Sequence, residues 1–311
     1  MNKLNLIEHQ TLFLQNLENT GKSFNTLKNY KTDLNIFNQF LIQKGRKLSL
    51  GEITNTEVQE YSYFLEKKYN SPNSIRRRVQ ALRIFFDFLI SKEVFDKNPI
   101  KTIITKPKIV DLPNPAPFDQ IQKLIAKLYS IDEKSSLHEK LLNQRNLVLI
   151  YLIYGAGLKV SDIERLNNYS LKLVKGVYRV LVSPPKRDPF TVLMPENFTD
   201  IYNQYQELLD EGKERDHIEF DDLLFNGNPF KIIKGGLSSR GMEVIFKEFS
   251  KNNEMQITAK SLRQSCIFKW LCQDIPQARI KEWMGVQPQY SLNPYIELLK
   301  QNPEQFCFME L

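Results

Sequence analysis

The chain has 311 residues, of which 41 % are hydrophobic and 25 % are charged, and this is the composition of an ordinary globular protein of about two domains. It excludes an intrinsically disordered chain, a collagen-like repeat and a small disulfide-stapled scaffold, and the longest apolar run, residues 147–158, is too short to span a bilayer. The net charge of +7 is concentrated in the first third, where residues 1–110 hold 18 Lys and Arg against 10 Asp and Glu.

The first hundred residues carry the apolar periodicity of a helical bundle. Between residues 27 and 41 the apolar side chains recur at steps of three and four, which predicts an amphipathic helix with Ser23 as its N-cap and Gly45 after its end. We therefore predict that residues 1–97 form a four-helix domain. Similar patterns predict its other helices over residues 7–17, over residues 56–68 and from residue 73 onward.

The basic charge of this first segment indicates a polyanionic partner. Clustered Lys and Arg on a small helical domain are typical of proteins that bind nucleic acid, because these side chains neutralise backbone phosphates. The rest of the chain is nearly neutral. A basic face that serves only to keep the helices solvated is the alternative that the sequence leaves open.

Residues 98–117 separate this domain from a second one. Prolines recur throughout the segment, and proline fixes an extended backbone and prevents helix continuation, so we predict an interdomain linker. The second domain, residues 118–311, is predicted as mainly α with a small antiparallel β-sheet, because β-rich runs at 177–182 and 190–193 flank a basic turn. Helices are predicted over residues 118–129, 138–155, 161–167, 196–209, 239–251, 260–273 and 277–284.

Several kinds of catalytic site are excluded by motif. The sequence has no glycine-rich phosphate loop, no Gly-x-Ser-x-Gly elbow and no His-Glu-x-x-His motif, and its three histidines are scattered. We therefore expect neither a metal site nor a cofactor, and no membrane partner. Three cysteines without a Cys-x-x-Cys pair, together with first residues that lack the apolar core of a secretory signal, indicate a reducing, cytoplasmic location.

What remains is an ordered set of short boxes in the second domain. The first is GLKVSD at residues 157–162, and Lys186 lies in the turn after the β-rich run at 177–182. The box KSLR at residues 260–263 starts a predicted helix, and MGV at residues 284–286 precedes Tyr295 by nine residues. In this order and with these gaps the boxes resemble those of the tyrosine recombinase (phage integrase) family, as does the pattern of the N-terminal helices.

The resemblance implies a chemistry and a role for each position. In this family a tyrosine attacks a DNA phosphodiester and forms a 3′-phosphotyrosine, and cationic side chains stabilise the charge on the phosphate oxygens. Tyr295 is thereby implied as the nucleophile and Arg263 as a phosphate ligand. Lys186 is implied as the proton donor to the leaving oxygen, although its neighbour Arg187 shares the turn and either side chain could face the site.

Three positions depart from the family pattern. Lys159 stands where the family has an arginine, Lys260 where it has a histidine, and Val286 where it has a histidine or a tryptophan. A lysine keeps positive charge but lacks the planar fork of a guanidinium, and a valine cannot donate a hydrogen bond. The resemblance therefore leaves two functions open: a working recombinase, and an architectural or regulatory DNA-binding protein that has lost the chemistry.

The resemblance also implies a DNA-binding surface and partners. In the family a helix of the N-terminal domain approaches the major groove of double-stranded DNA, and neighbouring helices contact phosphates. The apolar residues of segment 296–311 imply docking on a second protomer, so a homo-oligomer on DNA is expected, with a second recombinase as the alternative partner. The implied DNA-binding residues are Arg76, Arg77, Arg78, Arg83, Lys28 and Lys31.

Overall fold

The computed structural model describes residues 5–107, 112–130, 134–185, 187–227, 232–253, 255–306 and 308–310. The chain divides into two units, Met1–Asp111 and Leu112–Leu311, here called the N-terminal unit and the C-terminal unit. The exact limits of the linker over residues 98–117 stay a prediction. Within the described ranges, no helix is both long and apolar enough to cross a membrane.

Within residues 5–107, the N-terminal unit contains four α-helices, as predicted. Each starts at a polar side chain that accepts a hydrogen bond from the backbone of the first turn, and Ser23 has this role for the second helix. Gly45, with a φ of +69°, follows the end of that helix. The helices are α1 (Leu6–Asn19), α2 (Phe24–Gln43), α3 (Asn55–Lys68) and α4 (Pro72–Ser91).

Aromatic side chains hold these helices together. The Tyr61 ring on α3 lies 4.9 Å from that of Phe37 and 5.2 Å from that of Phe40, both on α2. Ile100 and Ile103, which follow α4 in the predicted linker, are buried in the same core. The first part of the predicted linker therefore packs on this unit, because its isoleucines contribute apolar surface to the core.

The C-terminal unit is mainly helical and contains a small antiparallel sheet. The sheet has the strand order β1 (Leu171–Val174), β2 (Val177–Val182), β3 (Phe190–Leu193). A second ladder, β4 (Asn226–Gly227) with β5 (Ile233–Lys234), is not predicted by the sequence. The helices are α5 (Phe118–Tyr129), α6 (Leu137–Ile150) with a π-helical extension (Tyr151–Gly155), α7 (Val160–Ile163), α8 (Phe198–Asp216), α9 (Ser239–Asn253), α10 (Ala259–Cys272), α11 (Gln277–Trp283) and α12 (Asn293–Gln301).

Two of these helices end elsewhere than predicted. The helix predicted over 161–167 ends at Ile163, and the side chain of Asn167 caps a separate short turn. Conversely, α8 runs beyond residue 209 to Asp216, because Glu, Lys and Arg favour a helix even where the apolar periodicity has ended.

The C-terminal tail packs on its own unit. Phe308 is 3 % exposed, and its ring lies 6.0 Å from that of Phe268 on α10. The ammonium of Lys269, whose side chain is 1 % exposed, lies 2.9 Å from a carboxylate oxygen of Glu310. The resemblance implies docking of this segment on a second protomer, whereas in the structure Phe308 covers α10 of the same chain.

We expect Glu310→Ala to lower the free energy of unfolding by about 1–3 kcal/mol, because it leaves the buried Lys269 ammonium without its carboxylate. Urea denaturation of the full chain measures the change. Glu304→Ala, at an exposed position of the same tail, is the control and should change stability by about 0.5 kcal/mol or less. Equal effects of the two substitutions would contradict a stabilising role of the ion pair.

Candidate active site and DNA-binding surface

Arg263 joins three distant segments of the C-terminal unit. It lies in α10, whose start is fixed by a capping box between Thr258 and Ser261. Its Nε donates to the carbonyl of Gly157 at 2.6 Å, and its Nη2 donates to the carbonyl of Met284 at 2.8 Å. One guanidinium thus connects three of the boxes that are far apart in the sequence.

Gly157 has two reasons to be glycine. Its φ of +65° lies in the left-handed region, and a Cβ atom added to it would overlap with the indole ring of Trp270 on α10. This close approach brings the carbonyl of Gly157 within reach of Arg263. The box at residues 157–162 is therefore held against α10 by packing as well as by a hydrogen bond.

Two further cations lie beside Arg263. Lys159 immediately precedes α7, and burial lowers the pKa of its ammonium. The positive charges of Arg263 and Arg187 lower the same pKa further, whereas the Asp162 carboxylate raises it. Arg187 comes from the turn between β2 and β3, and its Nη2 lies 3.6 Å from a carboxylate oxygen of the buried Asp162. The structure thus brings Lys159, Arg187 and Arg263 together.

In the turn between β2 and β3, the side chain seen at the site is Arg187, and Lys186 lies outside the described residues. The Nη1 atom of Arg187 is buried and has no hydrogen-bond partner within the described part of the chain. It lies so close to Gly285 that a Cβ atom there would be 2.6 Å away. The resemblance favours Lys186 for this turn. Which of two adjacent basic residues faces inward depends on the path of the turn, and no sequence signal defines that path.

Tyr295 lies on α12, close to Arg263. The residue is 6 % exposed, and its ring lies 5.4 Å from that of Phe268. Burial raises the pKa of Tyr295 to about 12; the neighbouring Tyr290 also raises that pKa, whereas a hydrogen bond from Gln264 and the charge of Arg263 lower it. The phenol is therefore protonated at neutral pH, and its oxygen lies in the electrostatic field of the Arg263 guanidinium.

Gln264 is a contact of the tyrosine that sequence reasoning missed. Its Oε1 accepts from the backbone N–H of Asn114 at 3.1 Å, which leaves its amide nitrogen to donate to Tyr295. A donated hydrogen bond stabilises the phenolate, and for this reason it lowers the tyrosine pKa. The sequence shows Gln264 only as the residue after Arg263, and the contact arises because α10 and α12 pack against each other.

The other two altered positions have different surroundings. Lys260 is exposed in the first turn of α10, three residues before Arg263. Val286 is half-buried and packs against the hydrophobic core of the C-terminal unit. The structure therefore gives Val286 an apolar contact where the family has a hydrogen-bond donor.

This arrangement can bind an anion beside a tyrosine hydroxyl. The charges that act on Lys159 come from two guanidiniums and one carboxylate, so the cluster has an excess of positive charge in a partly buried place. Phosphate and carboxylate oxygens form charge-assisted hydrogen bonds with guanidinium and ammonium groups in such surroundings. Within the described ranges, no group of three or more His, Cys, Asp or Glu side chains could hold a metal ion.

The predicted DNA-binding arginines of α4 differ in their surroundings. Arg77 pairs with Asp33 of α2 at 2.8 Å; burial raises the pKa of that carboxyl, and the charge of Arg77 lowers it. Arg78 lies over the ring of Tyr69 at 3.7 Å from its centroid, and Arg83 donates to a backbone carbonyl. Each of these three guanidiniums therefore has a partner within the N-terminal unit.

Arg76 differs from these three arginines in its contacts. It is exposed and has no side-chain partner among the residues that the structure describes. Together with Gln80 it lines a groove of about 470 Å³ between α2 and α4. Lys28 and Lys31 are exposed on α2. Exposed cations and amides on two adjacent helices are the side chains that contact phosphates and base edges in protein–DNA interfaces.

Known proteins resemble this chain along most of its length. The family described as "Phage integrase, N-terminal SAM-like domain" matches residues 11–93. Tyrosine recombinase XerD of Oceanobacillus iheyensis is 29 % identical over 156 residues, and the match spans half of each protein. Tyrosine recombinase XerC of Chlamydia caviae is 23 % identical over 292 residues, which cover 88 % of this chain and 88 % of that protein.

A solved structure has the same fold. The crystal structure of a lambda integrase dimer bound to a COC′ core site matches with a TM-score of 0.61 at 16 % sequence identity. The match covers 91 % of this chain and 95 % of that chain. It confirms the predicted fold class, mainly α with a small antiparallel sheet.

We expect Gly157→Ala to destabilise the C-terminal unit by about 2–5 kcal/mol, because it adds the strain of a left-handed alanine to an overlap with the Trp270 ring. Gly176→Ala is the matched control. That glycine also has a positive φ, of +82°, but an added Cβ atom would meet nothing within 4 Å, so the expected cost is about 1–2 kcal/mol. Urea denaturation compares the variants, and equal costs at the two positions would refute the packing argument.

Proposed function

Because this chain is a homologue of the tyrosine recombinases, we propose that it binds double-stranded DNA and exchanges DNA strands at a specific site through Tyr295. The observation that carries the proposal is that Lys159 and Arg187 converge on Arg263, and that the charge of Arg263 acts on that buried tyrosine. A phosphodiester is the group in DNA whose cleavage needs both a nucleophile and several cations.

Strand cleavage of this kind is a transesterification. The Tyr295 oxygen attacks phosphorus, the bond between phosphorus and the 5′ oxygen breaks, and the products are a 3′-phosphotyrosine and a 5′-hydroxyl. One proton leaves the phenol and one proton arrives on the departing oxygen, so charge is conserved. Because an ester is exchanged for an ester, attack by a 5′-hydroxyl on the phosphotyrosine rejoins a strand without an external energy source.

The surroundings of each side chain support a separate task. Arg263 is held through its Nε and one N–H of Nη2, so its Nη1 and the second N–H of Nη2 remain to bind phosphate oxygens. The lowered pKa of Lys159 makes its ammonium a better proton donor than an ordinary lysine, and Lys186 is the second candidate for protonating the departing oxygen. Gln264 donates to Tyr295 and so stabilises the phenolate as it forms.

The N-terminal unit provides the basic surface for the duplex. Lys and Arg outnumber Asp and Glu in residues 1–110, and Arg76, Lys28 and Lys31 present exposed cations on adjacent helices. Assembly as a homo-oligomer on DNA is supported by the lambda integrase relative, which is a dimer on its core site. A second recombinase is the alternative partner.

A DNA-binding protein without strand chemistry is the second candidate. It is favoured by Val286, whose side chain packs on the core, and by the backbone hydrogen bonds that occupy two nitrogens of Arg263. The same cations would then hold a phosphate without cleaving it, and an architectural or regulatory role would follow from binding alone. A covalent intermediate distinguishes the two functions.

We expect a covalent protein–DNA adduct when the full chain is incubated with a nicked suicide duplex made from the DNA that copurifies with it. The short fragment that carries the 5′-hydroxyl diffuses away, so the reverse reaction stops and the phosphotyrosine accumulates. Tyr295→Phe should abolish the adduct, whereas Tyr169→Phe, at an exposed tyrosine, should leave it unchanged. Denaturing gel electrophoresis measures the adduct. A clean footprint without an adduct would favour the second candidate.

Formation of this adduct should accelerate as the pH rises. Because the pKa of Tyr295 is about 12, only a small fraction of its phenol is ionised at neutral pH, and below the pKa this fraction grows about tenfold per pH unit. The initial rate should therefore increase between about pH 7 and pH 9 under conditions where the duplex is saturated with protein. A flat profile would mean that ionisation of the tyrosine does not limit the rate.

We expect Arg76→Ala to weaken duplex binding by about tenfold, because an exposed guanidinium on α4 loses its contact with a base edge or a phosphate. Arg76→Lys distinguishes these contacts. If Arg76 contacts a phosphate, the variant should keep the affinity and salt dependence of the wild type; if it contacts a base edge, the variant should lose sequence discrimination. Fluorescence anisotropy between about 50 and 200 mM salt measures both quantities. Unchanged binding by Arg76→Ala would exclude this face of α4 from the interface.

A further inference from the structure

We propose that Arg187 provides the guanidinium that binds the scissile phosphate where Lys159 has replaced the family's arginine, and that Asp162 holds it in position. This inference rests on the proposed function of the C-terminal unit. It goes beyond the resemblance, which implies a proton donor from the turn between β2 and β3, Lys186 or its neighbour Arg187, and no ligand of the scissile phosphate from that turn.

Asp162 connects Arg187 to the segment that carries Lys159. The Nη2 of Arg187 lies 3.6 Å from a carboxylate oxygen of Asp162, whose side chain is 2 % exposed. The backbone N–H of Asp162 in turn donates to the carbonyl of Lys159 at 2.9 Å. A buried carboxylate therefore anchors one side of the Arg187 guanidinium next to the altered position.

The other side of the same guanidinium has no partner among the residues that the structure describes. Its Nη1 is buried and makes no hydrogen bond to any described residue. A buried donor without a partner is unfavourable, and a phosphate oxygen that gains access to Nη1 when DNA binds would satisfy it. Gly285, with a φ of +57°, has no side chain to occupy this place, and a Cβ atom there would lie 2.6 Å from Nη1. The backbone of the box at residues 284–286 thus leaves room for the Arg187 guanidinium.

The net positive charge of the cluster formed by these side chains also favours binding of an anion. Lys159, Arg187 and Arg263 are close enough for both guanidiniums to lower the pKa of the Lys159 ammonium, whereas the Asp162 carboxylate raises it. The repulsion among the cations is relieved when a phosphodiester adds a negative charge. A cluster built in this way favours DNA backbone over uncharged ligands.

Arg187 supplies the geometry that Lys159 has lost. An ammonium is a point charge, whereas a planar guanidinium can bind two phosphate oxygens along fixed directions. Arg263 already donates its Nε–H and one N–H of Nη2 to backbone carbonyls. The available nitrogen of Arg187 therefore restores a directed contact to the phosphate, with Lys159 contributing charge beside it.

Ethylation interference tests the phosphate contact without requiring any strand chemistry. Ethylation of a phosphate that the protein contacts weakens binding, so wild-type protein on its copurified duplex should show a set of sensitive phosphates. Arg187→Ala should lose sensitivity at one or two adjacent phosphates and retain the others. Arg179→Ala is the matched control, since this arginine is exposed on β2 of the same hairpin, and it should keep the whole pattern.

The rate of adduct formation on the suicide duplex tests the guanidinium itself. Arg187→Ala and Arg187→Lys should slow adduct formation by about 100-fold or more, whereas Arg179→Ala stays within about threefold of wild type. The double variant Lys159→Arg/Arg187→Ala should form the adduct at least about tenfold faster than Arg187→Ala, because it returns a guanidinium to the box at residues 157–162. Where Arg187→Ala does not fold, Arg187→Gln, which retains most of the side-chain volume, replaces it in both assays.

The two assays separate this inference from the function on which it rests. If the wild type gives an interference pattern but no adduct, the strand-exchange proposal fails and Arg187 is judged by the interference pattern alone. An unchanged pattern in Arg187→Ala overturns the inference. So does an Arg187→Lys variant as fast as wild type, because charge without the fork would then suffice.

Discussion

The candidate site depends on two hydrogen bonds that Arg263 makes to the carbonyls of Gly157 and Met284. They attach the chain before α7 and the chain after α11 to the start of α10, and a single guanidinium can do this because its donors point along fixed, divergent directions. Lys159 and Gly285 each lie within two residues of one of these carbonyls. The arrangement of the cations is thus a consequence of how the backbone is held, and the positive charge gathers where three segments meet.

The elements of the fold were largely predictable because their signals are local. The helix α2 follows from apolar spacing within twenty residues and from the capping side chain of Ser23. The ladder of β4 with β5 was not predictable, because two-residue strands carry no alternation that could be recognised. The position of the C-terminal tail was not predictable either. Apolar side chains such as Phe308 indicate that the tail is buried, but they do not indicate which surface it packs against.

The candidate site was predictable to the extent that motif order places residues in segments. Arg263 and Tyr295 follow from their boxes, and the structure brings them close together. The orientation of Arg187, the contact of Gln264 with the tyrosine and the pairing of Asp33 with its arginine all require two elements to be packed first. An ion pair also changes the predicted role of a residue. The sequence predicts a DNA contact for an arginine on a basic helix, whereas the structure shows one of these arginines paired with a buried carboxylate.

The contact between Gly157 and the Trp270 ring has an evolutionary consequence. A side chain at position 157 becomes possible only after the indole has been lost, and exchanging a buried tryptophan for a small residue costs about 3–5 kcal/mol before any compensating change can occur. Even then, the positive φ at this position penalises every other residue type. The route away from this glycine therefore passes through poorly folded intermediates. The backbone at Lys159 is extended, with a φ of −82°, so it accepts other residue types without this penalty. This difference in accessible mutational paths fits a site that departs from the family at a cation and keeps the glycine of the same box.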